Sequence, residues 1–331
     1  MALIRFVRMG LAASDPSVFT ESGRHLLSLV PGNSVTAPRE ISVMLGYVKE
    51  AIGSDAAPFH FQTTKQFQVS APNCVSHVVE RKYLEAPHLL VADRLLCTTP
   101  EETLLRLSAS NSLPRVLRFC NELSGCYSLP PAGDYGGMAL TPAVTSPKLL
   151  QRSLGKWRSV PGKARLEEAV RWMTPNAASP VEASIAQTFA LPKKMGGYFV
   201  PGLHLNYKVT GKASAASAPR VFFLDIYWPE HRVAIEYDSD RYHFDEKRLA
   251  YHDAERRIVL GKLGIQTIVI TKAQLGNLDM LDNAARIVAH KAGIRLRLNR
   301  GDYRERRLAL HRELFPQFYS DDTVPCECYF L

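Results

Sequence analysis

Apolar residues along the chain follow two periods, and the change from one to the other marks where a sheet begins. From Arg165 to Met173 they recur at helical spacing. Ser179-Pro180-Val181-Glu182 then opens a further helix, with a capping serine, proline at the first helical position and glutamate at the third. Beyond Leu203 the period shortens. Leu203 to Val209, Val221 to Trp228 and Val233 to Tyr237 alternate or run apolar over strand lengths; Asp245 to Leu263 returns to helical spacing, and Ile265 to Ile270 has the pattern of a buried strand. The order helix, three strands, helix, strand, helix predicts an α/β fold with a mixed sheet flanked by helices. The meander forces antiparallel neighbours, and the crossover helix allows a parallel pair.

The first half carries a weaker pattern. Gln66 to Ser70 and Val75 to Val79 read as short strands, and Pro100 to Leu107 and Pro114 to Glu122 as helices, the first capped by Thr99 with Pro100 and Glu102 behind it. This predicts a smaller α/β module. No repeat of solenoid length occurs. The Pro- and Gly-rich stretch Leu129 to Gly137 reads as an inter-module loop, and Lys212 to Pro219 as a hairpin loop, so the expected division is 1–150 and 151–331. His60, His77 and His88 are isolated from one another and from acidic partners, and are expected to be surface or core histidines.

The chemistry gathers in the second half. A hairpin closed at Glu230-His231 sets Asp225 directly opposite Glu236, and Asp238, two residues further on, falls on the same face. The other face then carries Phe222, Leu224, Ile226 and Trp228 against Val233, Ile235 and Tyr237. Opposed side chains have Cβ atoms about 4.5 to 5.5 Å apart. At an effective dielectric near 20, two like charges at about 5 Å repel by roughly 3 kcal/mol, a cost that a bound divalent cation reverses. Hard oxygen donors suit magnesium or manganese rather than zinc. The plainer alternative makes Asp225 a strand terminator, Glu236 a solvated edge residue and Asp238 the start of a turn. Glu182 has two readings as well: its place in the capping box explains it fully, and a metal- or water-orienting role remains open.

Charge and composition narrow the partners. The chain of 331 residues has a net charge of +9 and is 46% hydrophobic, an ordinary globular composition with a bias towards polyanions. Arg295, Arg297, Arg300, Arg304, Arg306, Arg307 and Arg312 stand against only Asp302 and Glu305. That run either tracks phosphates or forms a solvated helix face. The six cysteines show no paired CxxC spacing, so no zinc site is expected. Neither a leader-like apolar region in Met1 to Val30 nor a later run of about 18 apolar residues is found, which predicts a cytoplasmic protein without a membrane partner.

The stretch FFLDIYWPEHRVAIEYDSDRYH, followed by DAERRIVLGKLGIQTIVIT, resembles the very-short-patch-repair-like branch of the PD-(D/E)XK nuclease superfamily, in its bacterial endonuclease-domain relatives. The likeness covers roughly Ser179 to Leu275. It rests on Ser-Pro-Val-Glu182, Asp225, Glu236-Tyr237-Asp238, His243, and Asp253 with Arg256 and Arg257. It implies a restriction-endonuclease-like fold that cleaves phosphodiesters, most of all in DNA, with magnesium or manganese held by Asp225, Glu236 and Asp238. Where the superfamily has Glu-x-Lys this chain has Glu236-Tyr237-Asp238, so the usual lysine is missing. His243 is then the candidate for proton transfer or, more plainly, a helix-entry residue, while Arg256 and Arg257 are candidates for steadying phosphate charge. Arg304, Arg306 and Arg307 would hold the nucleic-acid backbone. Phe59 to Pro130 bears a fainter resemblance to antitoxin-like domains of abortive-infection systems, which implies a recognition or regulatory module in phage defence or mobile-element biology, with a protein partner encoded nearby. Two further readings stand beside the nuclease: a catalytically weak fold that regulates by binding DNA, and an antitoxin-like interaction protein.

Overall fold

The computed structural model describes residues 59–63, 74–78, 88–92, 95–128, 139–140, 142–215, 218–238, 246–298 and 301–319. In the first half, β1 (Phe59–Thr63) pairs in parallel with β2 (Cys74–Val78), and β3 (His88–Ala92) pairs antiparallel with β4 (Leu95–Thr98). The expected strand at Val75 is β2, while Gln66 to Ser70 and Leu129 to Gly137 lie outside the described residues. Helix α1 (Pro100–Ser110) starts as its sequence dictates, with Thr99 Oγ1 accepting the Glu102 amide at 3.3 Å. Helix α2 (Leu113–Ser124) buries Val116, Leu117, Cys120 and Leu123, the three- and four-residue spacing of one helical face. After the short pair β5 (Tyr127–Ser128) and β6 (Ala139–Leu140) come α3 (Pro147–Lys156) and α4 (Lys163–Trp172).

The division expected at residue 150 falls within a helix. Leu150 lies inside α3 and is fully buried. Leu104, Leu117, Leu123 and Leu166 also share one continuous apolar cluster with Phe189, Trp228 and Leu314 of the second half. A boundary needs a segment that few contacts cross, and from α1 onward the helices pack on the sheet-bearing half.

Helix α5 (Pro180–Ala190) is followed by β7 (His204–Gly211), β8 (Arg220–Trp228), β9 (Val233–Asp238), α6 (Glu246–Lys262), β10 (Gln266–Thr271), the single turn α7 (Lys272–Leu275), α8 (Leu278–Lys291) and α9 (Tyr303–Leu314). The strands form one sheet in the order β10-β9-β8-β7, with β10 parallel to β9 and the other neighbours antiparallel. This is the mixed α/β sheet that the periodicity predicts. One face packs Ile226, Trp228, Val233 and Ile235 against α5, α8 and α9 through Phe189, Val288 and Leu314. Each such side chain contributes about 1.5–3 kcal/mol when fully buried. The other face packs Leu224, Tyr227 and Ala234 against Leu260 of α6 and Ile265. Among the described residues no helix is long and apolar enough to cross a membrane.

A buried polar knot ties α8 and α9 to the loop after α5. Arg307 pairs with Asp282 and donates to the Leu298 carbonyl at 3.2 Å. The Tyr198 hydroxyl donates to Asp282 Oδ1 at 2.7 Å, and the Tyr303 hydroxyl to the Gly197 carbonyl at 2.7 Å. Gly197 is required there, because a Cβ would overlap the Leu191 carbonyl. The knot corrects one expectation: Arg307 is 3% exposed, and it serves the core rather than a phosphate-binding surface. Arg304 is exposed and Arg306 is partly so, the latter paired with Asp302 one turn away. Replacing Arg304 and Arg306 together by alanine is therefore expected to lower the logarithmic salt slope of duplex binding by about 0.9 for each phosphate no longer neutralised. Gel shifts over a salt series measure it, and an unchanged slope makes this helix face merely solvated.

Candidate active site

Strands β8 and β9 pair through Ile226 with Ile235, Tyr227 with Ala234 and Trp228 with Val233. This is the register the hairpin predicts, although the connection runs through Pro229 to Arg232, with the His231 amide donating to the Trp228 carbonyl at 3.2 Å. The ladder ends at Ile226. Beyond it the Tyr237 N–H donates to Asp225 Oδ2 at 2.8 Å, so a side-chain carboxylate takes an amide that lies past the last ladder pair. On the other side, β7 pairs Leu205 with Ile226 and Tyr207 with Leu224 but skips Asn206 opposite Asp225, and Asn206 has a φ of 49°.

This break inverts the alternation of side chains, as a bulge does. Ile226 and Trp228 face α5, whereas Leu224 joins Tyr227 and Ala234 on the α6 side. The single apolar face expected from Phe222 to Trp228 is corrected accordingly: it holds from Ile226 onward and reverses at Asp225.

Around the break stand carboxylates from three elements. Glu236 of β9 is pushed up to about 7, by burial first and then by the charge of Asp225, with Arg256 acting the other way and Glu182 adding a smaller push. Glu182 of α5 is likewise pushed up to about 7, by burial and by Asp225, against hydrogen bonds from Ser179 and Ala178. Asp225 is raised by burial, opposed by the Tyr237 amide and Arg256. Asp225 is thus the shared neighbour of the other two. Arg256 of α6 braces the cluster, its Nη2 donating to Glu236 Oε1 at 2.6 Å and to the Phe223 carbonyl at 2.8 Å.

No known protein family, curated protein or solved structure matches the chain.

The cluster differs in membership from the trio the sequence singles out. Asp238 is exposed at the end of β9, where it pairs with Thr271. Glu182 stands in the cluster and caps its own helix as well: its two carboxylate oxygens accept from the Ala178 amide at 3.0 Å and the Ser179 hydroxyl at 2.8 Å. Arg257 is exposed on α6. His243 and the side chain of Asp253 lie outside the described residues. Asn206, which no sequence argument selected, faces Asp225 across the interrupted ladder. Its only signal was a polar residue inside the run Leu203 to Val209.

The donors suit a hard cation in chemistry, since they are carboxylate oxygens. Among the described residues no three Asp, Glu, His or Cys side chains already form a cation cage. One oxygen each of Asp225 and Glu236 is engaged, by Tyr237 and Arg256 respectively. The remaining oxygens of these two residues are the ones a magnesium or manganese ion would take. Glu182 would join them only by releasing a cap bond.

The raised carboxyls fix the sign of a pH effect. Glu182 and Glu236 keep their protons in the folded chain up to about 7, whereas the unfolded chain loses them near about 4.3. Their stability contribution is therefore present at low pH and lost as pH rises through 7. In EDTA the protein is expected to lose melting temperature between pH 5.5 and pH 8, and Asp225→Asn, which removes the shared charge, is expected to lose less. Manganese at about 100 times its dissociation constant should stabilise wild type by roughly 2.7 kcal/mol and Asp225→Asn by little. Paired melting curves check both. A variant that melts lower than wild type in EDTA yet keeps the full manganese shift would make Asp225 structural.

Proposed function

We propose that the chain is a metal-dependent nuclease that hydrolyses phosphodiester bonds, with DNA as its substrate and a role in phage defence or mobile-element biology. The observation that carries this reading is the meeting of Glu182, Asp225 and Glu236 at a break in the sheet. Three partly buried carboxylates from separate elements repel one another, and such a cost is kept where it serves a site. The expectation from the sequence that the fold is restriction-endonuclease-like agrees with this reading.

Bound to Asp225 and Glu236, magnesium would lower the pKa of a bound water and neutralise charge on the scissile phosphate. The protein's own groups do the rest. Glu182, titrating near 7, holds or releases a proton at neutral pH and orients the attacking water. Arg256 sits between Glu236 and the Phe223 carbonyl, close enough to the acids to steady phosphate charge when Glu236 turns to the cation. His243 supplies the proton for the leaving oxygen. Arg257, Arg304 and Arg306 hold the backbone of the nucleic acid. The test is incubation with supercoiled, linear and single-stranded DNA, and with RNA, in magnesium, in manganese and in EDTA. Cleavage in EDTA, or on no substrate at all, removes the reading.

One observation favours a second reading. Arg256 already occupies one oxygen of Glu236, as it would in a fold that binds DNA without cutting it, used as a regulator or as an interaction module for a partner encoded nearby. Gel shift in EDTA without cleavage in manganese would select it.

A further inference from the structure

Beside the edge strand β7 the surface opens into a groove of about 440 Å³, walled by the end of α4, the segment from Phe199 to Leu203 and β7 itself. Its walls present four rings: Trp172 and Phe199 meet edge to face at 6.0 Å, and His204 and Tyr207 at 5.7 Å. Phe199 is 44% exposed and Tyr207 36%. Arg171 and Lys208, both exposed, also line it, and among the described residues no carboxylate does.

The placement of Phe199 is imposed by the fold. Its φ of 57° lies in the left-handed region, which is unfavourable for an aromatic residue. Its neighbours fix it there. Tyr198 is fully buried and bonded to Asp282, and Val200 is held through its amide by the Phe189 carbonyl at 2.9 Å and through its carbonyl by the Trp228 indole at 3.2 Å. The chain thus holds a large ring at the surface at a conformational cost. Asn176 and Asn206, with φ of 68° and 49°, stand in the same wall, and sparsely populated backbone of this kind collects at ligand sites.

We propose that this groove binds single-stranded nucleic acid and leads it to the acidic cluster, an inference that rests on the nuclease reading and names its substrate class. Exposed rings offer π-faces for bases, Arg171 and Lys208 neutralise phosphates, and walls without carboxylates spare a polyanion the repulsion it would otherwise meet. A duplex has its bases stacked on one another and offers no free face; a single strand does. Asn206 gives the route. It lines the groove and stands opposite Asp225, between the pairs Leu205–Ile226 and Tyr207–Leu224, so a strand seated here passes beside the carboxylates.

The test is fluorescence anisotropy of the full chain in EDTA, with a short labelled oligothymidylate and with a hairpin duplex of equal length. Single strand is expected to bind more tightly than duplex and to quench Trp172 fluorescence, the quench being lost in Trp172→Phe. Phe199→Ala and Tyr207→Ala are each expected to weaken single-strand binding by about 5- to 150-fold, the loss of one base–ring stack. Lys208→Glu, at an exposed position, should weaken it as well and make its fall with salt shallower than in wild type. If Phe199→Ala melts below wild type, Lys208→Glu and the Trp172 signal decide. Equal binding of duplex, no binding of single strand, or single-strand affinity unmoved by Lys208→Glu overturns the proposal. Because no metal is present, absent cleavage leaves this result standing, and cleavage that ignores the groove variants defeats the proposal while sparing the nuclease reading.

Discussion

Asp225→Ala is expected to abolish metal-dependent cleavage, and Glu236→Ala to do the same, with both proteins still folded. Losing a partner that merely orients a metal ligand costs roughly 10- to 100-fold, so removing a donor itself should exceed that range. The two variants should differ in their folded state. Asp225→Ala removes the carboxylate that the Tyr237 amide meets at 2.8 Å, and relieves Glu182 and Glu236 of the charge that pushes them up. Glu236→Ala instead leaves Arg256 with the Phe223 carbonyl at 2.8 Å as its hydrogen-bond acceptor among the described residues. Arg256→Gln separates bracing from chemistry. If the guanidinium only holds Glu236, the variant should bind manganese more tightly, because a competing cation is gone, and cut at near the wild-type rate. If it steadies the phosphate, kcat should fall with metal affinity unchanged or improved. Single-turnover cleavage across a manganese titration reads both quantities, and undiminished cutting by Asp225→Ala would sink the assignment of the site.

Periodicity made the sheet legible, and it made part of the site legible with it. Asp225 and Glu236 could be brought together on paper because the hairpin at Glu230-His231 fixes a register, and a slip of one residue would have turned Ile226, Trp228 and Ile235 out of the core. The break in that register was not readable. It is made by one side-chain oxygen on one backbone amide and by one left-handed asparagine, and neither leaves a trace in the spacing of apolar residues. Glu182 shows a second limit. Its capping box accounts for its place in the sequence, so nothing there requires the nearby charge of Asp225, which the packing of α5 against the sheet supplies. The hydrogen bond of Arg256 to Glu236 joins residues twenty apart, across a crossover whose geometry no local pattern states. The shared apolar cluster is hidden for a related reason: composition marks where chains turn, and whether two halves share a core depends on packing.

The arginine run illustrates how charge patterning conceals burial, and its test carries the largest expected change in stability. Arg307 reads as one cation among seven in the sequence, yet its guanidinium is 3% exposed and paired with Asp282, itself 3% exposed. Removing one member of such a pair leaves an uncompensated charge in the core, which costs about 3–5 kcal/mol. Asp282→Ala strands the guanidinium with the Leu298 carbonyl and takes the acceptor from the Tyr198 hydroxyl. Arg307→Ala leaves the carboxylate with that hydroxyl as its hydrogen-bond donor among the described residues. At about 2–4 °C per kcal/mol for a body of this size, each single variant should melt roughly 6 to 20 °C below wild type. Arg307→Lys should rescue little, since an ammonium lacks the planar fork that reaches Asp282 and Leu298 together. The double variant Asp282→Leu with Arg307→Met should recover much of the deficit, because well-packed apolar side chains replace a buried ion pair at small cost or with a gain. Urea and thermal melts of wild type, the single variants and the double variant form the cycle. Single variants within about 0.5 kcal/mol of wild type, the range of ordinary surface substitutions, would return Arg307 to the surface and to the phosphate-binding role its sequence implies.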